Sequence, residues 1–282
     1  MVSLATILLG PLYAADSPGD LMVIELPVFA LLFLASISFA CNLNCYHDRE
    51  VDSLKKRELS ESVELIGLPT MKKIMVLENM VIFFCILFFL LSGHLPVAFL
   101  GLMGWLFSYI YSAPPFRFKG RGVVGPLPVI LGVYVLPILA GHMILDPDLS
   151  SGFIFFVTGY AVLNLGINLV NVAEDYEVDM KCGISTAAHR LGVRTTVTLA
   201  SLFTIIGSLT VIPFLSPRGL SLLSLLPFAL LLSALVFTCA DIGTIPLSKE
   251  PERVSGLKGK RLPLYFISTR YPMVLILLLS LM

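Results

Sequence analysis

Apolar positions in this chain run in long unbroken stretches, not in the alternating or three-to-four-residue periods of soluble strands and helices. They fall at roughly 1–15, 21–46, 74–92, 96–113, 123–142, 152–174, 194–215, 220–240 and 263–282, with polar or Gly- and Pro-containing segments between them. A membrane-spanning helix needs about 20 mostly apolar residues, so the pattern predicts an all-α polytopic membrane protein of about nine transmembrane helices. The first stretch is short and also admits reading as a signal peptide, since Leu12-Tyr13-Ala14-Ala15 resembles a cleavage region, although a basic lead-in is missing. The ninth is interrupted by Arg270 and Pro272. No connecting segment has room for a soluble domain, so residues 1–282 are read as one transmembrane domain. The longest connections, about 52–73 and 241–262, are the natural lids.

Composition sharpens this picture. Hydrophobic residues make up 57% of the chain and charged residues 13%, against about 25% charged in soluble domains. The five cysteines contain no C-x-x-C pair, and the four histidines form no H-E-x-x-H. Neither a disulfide framework nor a zinc site follows. Net charge is zero, and the expected surroundings are membrane lipids, with no nucleic-acid partner.

Placement of the charges matters more than their sum. Segments after even-numbered stretches carry Arg49, Lys55, Lys56, Arg57, Lys72 and Lys73, then Arg117, Lys119 and Arg121, then Lys181, Arg190 and Arg194, and finally Lys249 to Arg261. Segments after odd-numbered stretches carry only Arg218, with Arg270 inside the last stretch. The positive-inside rule therefore puts the even-numbered connections in the cytoplasm of a cell-membrane protein.

Two of those connections begin with the same motif. Asn44-Cys45-Tyr46-His47-Asp48-Arg49-Glu50-Val51-Asp52 returns 127 positions later as Asn171-Val172-Ala173-Glu174-Asp175-Tyr176-Glu177-Val178-Asp179, sharing N-x-x-x-D-x-E-V-D. On an α-helix a step of four advances about 400°, so Asn, Asp and Asp stack along one face with about 40° of drift per step. Carboxylates so crowded beside a low-dielectric bilayer repel one another, and a divalent cation removes that repulsion. A solvated acidic helix end explains either copy alone, but not two with identical spacing. Facing each other, the stripes would hold two Mg²⁺ ions and a polyanion such as diphosphate between them. Four stretches separate the copies, which suggests two halves of equal hand, about 1–142 and 143–282, around one cavity.

The fourth stretch ends in Tyr109-Ile110-Tyr111-Ser112-Ala113-Pro114-Pro115-Phe116-Arg117-Phe118-Lys119. The prolines stop the helix and fix its exit. Arg121 reads as ordinary anchoring, whereas Lys119 is a candidate point-charge contact for a diphosphate. Tyr111 is either an interfacial belt residue or a substrate contact. Phe83, Phe84, Phe88 and Phe89 offer cavity walls, with a role facing lipid or neighbouring helices favoured for any one of them.

Together these motifs resemble the UbiA superfamily of intramembrane prenyltransferases. The carriers are N-x-x-x-D-x-x-x-D after the second stretch, Y-S-x-x-P-x-R-x-K after the fourth, and the second acidic motif followed by D-x-x-x-G-x-x-T from Asp179 to Thr186. The resemblance implies nine helices around a central cavity with a cytoplasmic cap. It also implies Mg²⁺-dependent transfer of a prenyl group from an isoprenyl diphosphate to a lipophilic acceptor, the candidates being a glycerol-phosphate ether lipid, an aromatic quinone precursor, haem or a chlorophyll-type tetrapyrrole. Carried over by position, Asn44, Asp48, Asp52, Asp175 and Asp179 bind diphosphate through Mg²⁺, and Lys119 contacts it directly. Asn168, Asn171 and Lys181 are further candidates near the second motif. The usual R-P-[LI]-x-x-G segment after the first motif is here Lys55-Lys56-Arg57-Glu58-Leu59-Ser60, with Arg57 as the candidate replacement. A cation-coupled transporter is the rival reading. Against it, Glu25 and Glu78 are expected near the ends of their spans, leaving no acid at midplane.

Overall fold

The computed structural model describes residues 2–55 and 57–282, with the side chains of residues 2, 3, 50, 54, 55 and 57 outside the described set. In chain order the helices are α1 (Val2–Ala14), α2 (Glu25–Lys55), α3 (Arg57–Ile66), α4 (Leu68–Leu91), α5 (Leu95–Ser112), α6 (Leu127–Val129), α7 (Leu136–Met143), α8 (Ser151–Glu174), α9 (Tyr176–Lys181), α10 (Ala187–Leu191), α11 (Val193–Val211), α12 (Leu225–Gly243), α13 (Pro251–Gly259) and α14 (Leu262–Leu279). Seven of these are long and apolar enough to cross a membrane, and two shorter apolar helices, Leu4–Ala14 and Leu127–Met143, occupy the first and fifth places. The nine apolar stretches of the sequence therefore all become helices, in order. The fifth is not uniform: a π-helical turn over Ile130–Val135 joins α6 to α7 and widens the backbone around Gly132.

Local chemistry sets the ends. Ser150 caps α8 by accepting a hydrogen bond from the Phe153 N–H at 3.2 Å. Gly67, at φ +79°, turns the chain into α4, whose first turn holds a proline. Starting at Leu68, α4 is longer than the apolar stretch from 74, because Pro69 to Lys73 are helical although polar. That corrects one expectation, since Glu78 lies near the middle of α4 and not near its end. It accepts from Ser38 Oγ at 2.5 Å and Asn42 Nδ2 at 2.7 Å, clasping α4 to α2.

Two apolar clusters fill the bundle. One joins α2, α4 and α5 with parts of α1 and α7. The larger joins α1 to α8, α11, α12 and α14. The first stretch thus packs as a bundle helix, with Leu9 fully buried. At one end Arg218 donates to the carbonyls of Leu12 and Tyr13, the latter at 3.0 Å, and so caps α1.

Helices α8 and α11 meet backbone to backbone. A Cβ on Gly207 would stand 2.2 Å from the Leu163 nitrogen, and one on Gly159 2.8 Å from the Val211 nitrogen. Small residues allow this approach, which replaces the hydrophobic drive that lipid does not supply. Gly207→Ala is expected to destabilise the bundle by about 1–3 kcal/mol through overpacking. A lower midpoint of unfolding in detergent would show it; an unchanged midpoint would mean the helices separate freely.

At the other end, the short strands β1 (Arg121–Gly122) and β2 (Ser185–Thr186) pair in parallel. They tie the connection after α5 to the connection after α9, so both lie over the same end of the bundle as the acidic motifs.

Candidate functional site

The first acidic motif lies on one continuous helix, as its spacing predicts. Asn44, Asp48 and Asp52 follow each other by single turns of α2, and Asp48 and Asp52 are 1% and 5% exposed. Asn44 Oδ1 accepts from Ser112 Oγ at 3.3 Å, fixing α2 against the end of α5.

The second motif is not one helix. α8 stops at Glu174, Asp175 takes φ −83° and ψ 0°, and α9 begins at Tyr176. Aspartate competes poorly inside a helix and well at its start, which suits this break. The spacing survives because the Asp175 N–H still reaches the Asn171 carbonyl (3.2 Å) and the Asp179 N–H the Asp175 carbonyl (2.9 Å). Asp179 ends 4% exposed. Its own carbonyl accepts from the Ile184 N–H at 2.9 Å, which folds the following loop beneath it.

The turn after α5 completes the arrangement. Arg117 is the one described non-glycine residue with positive φ, at 36°. That conformation is disfavoured for an L side chain, yet it sends both Arg117 and Lys119 back to α2. Arg117 Nη2 donates to Asp48 Oδ1 at 3.0 Å, and Lys119 Nζ donates to Asp48 Oδ2 at 2.5 Å. Burial alone would lower the Lys119 pKa, but the charge and hydrogen bond of Asp48, with help from Tyr111 and Asp179, hold it above the ordinary lysine value. Arg121 folds onto the carbonyls of Pro115 and Phe116 and braces the turn, in keeping with an anchoring role. Gly125 closes it where a Cβ would meet the Gly122 and Phe118 carbonyl oxygens at 3.1 Å.

These elements enclose a chamber of about 330 Å³ whose polar walls are Asn44, Lys119, Asn168, Asn171, Asp175, Asp179 and Thr186. The two motifs are therefore brought together, but unequally. Asp175 and Asp179 line the chamber, whereas Asp48 stands behind Lys119 and, like Asp52 and the exposed Lys181, is not part of the lining. The side chain of Arg57 lies outside the described residues.

Deeper in the bundle, an apolar slot of about 80 Å³ runs between α2, α5 and the α6–α7 segment. Ile37, Ala40, Tyr111, Val129 and Val133 belong to both the slot and the chamber, so one opens into the other. The aromatic walls are Phe29, Phe33 and Phe107. Phe83 and Phe84 instead point outward, 44% and 71% exposed, in line with the lipid-facing role. Phe88 and Phe89 do not line the slot either.

The chamber's oxygen donors are carboxylates, amides and hydroxyls; Cys41 and Cys45 also border it, and no histidine does. Among the described residues, no three His, Cys, Asp or Glu side chains are grouped closely enough to hold a metal by themselves. This suits a hard cation bound through one or two carboxylates and completed by ligand oxygens, which is the habit of Mg²⁺. It does not suit zinc. Sequence reasoning gave Arg117 no role of its own; its place in P-x-R-x-K, two residues before Lys119, was the available signal.

Comparison with known proteins bears on this arrangement. Lycopene elongase/hydratase of Haloarcula japonica is 26% identical over 196 residues, 67% of this chain and 63% of that protein. Chloroplastic chlorophyll synthase of Arabidopsis thaliana is 30% identical over 148 residues, 52% of this chain and 38% of that one. The matched regions thus span less than two thirds of these curated relatives. Digeranylgeranylglyceryl phosphate synthase shares the fold with a TM-score of 0.69 at 13% identity, over 98% of this chain and 92% of that one. A UbiA homolog from Archaeoglobus fulgidus bound to GPP and Mg²⁺ does so with a TM-score of 0.57 at 15% identity, over 95% and 99%. The family model for UbiA prenyltransferases matches residues 3–250. Both acidic motifs, the P-x-R-x-K turn and helices α1 to α12 fall essentially within that span, and the chain belongs to the UbiA prenyltransferase family.

Proposed function

We propose that this protein transfers a prenyl group from an isoprenyl diphosphate to a lipophilic acceptor within the membrane and releases diphosphate. The observation that carries the reading is the continuity of a small polar chamber with an apolar slot. A diphosphate head needs the first and an isoprenoid tail the second, and Tyr111 lies at their junction. The A. fulgidus homolog, bound to GPP and Mg²⁺, holds a ligand of this kind.

When bound, Mg²⁺ (two ions in our reading) supplies Lewis-acid neutralisation of the leaving diphosphate. Asp175 and Asp179 on one bank, and Asn44, Asp48 and Asp52 on the other, would hold it, with Asn168 and Asn171 orienting the head. Lys119 would contact the diphosphate as a point charge. Phe33, Phe107 and their aliphatic neighbours exclude the water that would quench an allylic cation. The chamber's carboxylates are committed to the head, so the departing diphosphate takes the acceptor's proton. The basic connections support a cytoplasmic position for this end. The candidate acceptors are a glycerol-phosphate ether lipid, an aromatic quinone precursor, haem and a chlorophyll-type tetrapyrrole.

The transporter reading gains Glu78 at mid-helix but loses its use, because Glu78 faces Ser38 and Asn42 and does not line the chamber.

Purified protein incubated with geranyl, farnesyl and geranylgeranyl diphosphates against a panel of all four acceptor classes tests the reading. Prenylated product with stoichiometric diphosphate release is expected; release of diphosphate with no prenylated product would refute transfer. Lys119→Ala is expected to weaken donor binding by about 10- to 100-fold, since a hydrogen bond to a charged group contributes about 1.5–3 kcal/mol. A change confined to the acceptor's KM would refute that placement of the lysine.

A further inference from the structure

Resting on the reading above, we infer that Arg117 and Lys119 serve as stand-in counterions for Asp48, so that metal can reach the Asp48 bank of the site only by exchanging partners with this pair. The carboxylate of Asp48 is 2% exposed, and each oxygen already accepts from a cation, one from Arg117 at 3.0 Å and the other from Lys119 at 2.5 Å. A buried carboxylate paired in this way is held in position by its two partners without a metal. A dication approaching it meets two like charges competing for the same oxygens. Lys119 also lines the chamber with Asp175 and Asp179, so a diphosphate arriving there offers its ammonium a second anionic partner. As Lys119 turns to the diphosphate, Asp48 is released to the metal.

Arg117 is suited to this exchange and not merely to anchoring. Its side chain is 40% exposed against 19% for Lys119, so it can swing to solvent when displaced. Its left-handed backbone is a conformation that an arginine adopts only when its surroundings hold it there. The ion pair to Asp48 is the contact that gains from that geometry.

Partner exchange has a thermodynamic signature. Metal reaching Asp48 without diphosphate must displace Arg117 and Lys119 unaided, whereas metal reaching it with diphosphate need not. Each ligand should therefore strengthen the other reciprocally, by a factor in the usual range of roughly 5–150.

The test is Mn²⁺ binding to the full-length protein in detergent, read by electron paramagnetic resonance at fixed free Mn²⁺, with and without saturating inorganic diphosphate. The wild type is expected to bind Mn²⁺ at least about tenfold more tightly with diphosphate present. Arg117→Met, which keeps the stem and removes the charge, is expected to tighten metal-only binding and narrow that ratio. Arg117→Lys should restore it. A purely structural arginine would predict the opposite, a variant that binds metal more weakly under both conditions. Equal affinity with and without diphosphate in the wild type, or metal-only binding unchanged or weakened in Arg117→Met, overturns the exchange alone. Absence of Mn²⁺ binding under either condition removes the metal-dependent reading and the exchange with it.

Discussion

Asp175→Ala is expected to reduce prenyl transfer at least about a thousandfold while the protein still folds. The size follows from the chemistry lost, since metal-assisted departure of a diphosphate contributes several kcal/mol and each 1.36 kcal/mol is a factor of about ten. Asp175 lines the chamber directly, at the hinge between α8 and α9. Its side chain belongs to neither apolar cluster, so truncation leaves the packing of the bundle in place. EDTA should have the same effect on the wild type, and added Mg²⁺ should reverse it. Single-turnover measurement with labelled donor, alongside the unfolding midpoint in the same detergent, separates lost chemistry from lost structure. Substantial turnover in Asp175→Ala, or in EDTA, would defeat the metal role of this bank.

A change of donor length is expected from two substitutions at the slot. From Tyr111 to Leu100 the α5 wall covers 11 residue steps, and from Ala40 to Phe29 the α2 wall covers 11 as well, about 16 Å at 1.5 Å per residue. Three bonds across a trans peptide span 3.8 Å, so the four main-chain bonds of an isoprene unit span roughly 5 Å. The residues lining the slot therefore extend over the length of about three units. Phe29 forms its floor, 4% exposed and close enough to Gly141 that a Cβ there would lie 3.0 Å from its ring. Val97, Ala98 and Ile144 are packed in the same apolar cluster. Phe29→Ala should deepen the slot and favour geranylgeranyl over farnesyl diphosphate by about tenfold relative to the wild type, as one or two buried methylenes are worth about 1–3 kcal/mol. Gly104→Leu should do the reverse and favour geranyl diphosphate. A Cβ on Gly104 would meet nothing within 4 Å, so the larger side chain has room to grow into the slot. The ratios of kcat/KM across the three donors measure both effects. An unaltered profile in both variants would mean the tail leaves the bundle sideways into lipid.

Much of this protein is written in its linear pattern, because a bilayer tolerates few kinds of backbone. Unpaired peptide groups are too unfavourable in hydrocarbon, so a long apolar run must become a helix, and all nine runs did. Period arithmetic put Asn44, Asp48 and Asp52 on one face of α2, and the repeat marked Asn171, Asp175 and Asp179 as their counterparts. Lys119 was legible from its turn. These are local properties, decided by dihedral geometry and charge within a few residues.

What the linear pattern could not decide is how each helix is rotated and what it meets. The two acidic motifs look equivalent in sequence, yet Asp175 and Asp179 line the chamber while Asp48 is turned onto Arg117 and Lys119. Period alone could not choose Phe29, Phe33 and Phe107 over Phe83 and Phe84 as the aromatic walls, since apolar residues are admissible on every face of a membrane helix. Glu78 moved to mid-helix because polar residues extended α4 beyond its apolar run. The sequence by itself determined the helices, their order and the chemistry available at one end. Tertiary packing decided which of those groups share a cavity, because side chains brought together from positions 44, 119, 168 and 179 depend on long-range contacts that no local period encodes.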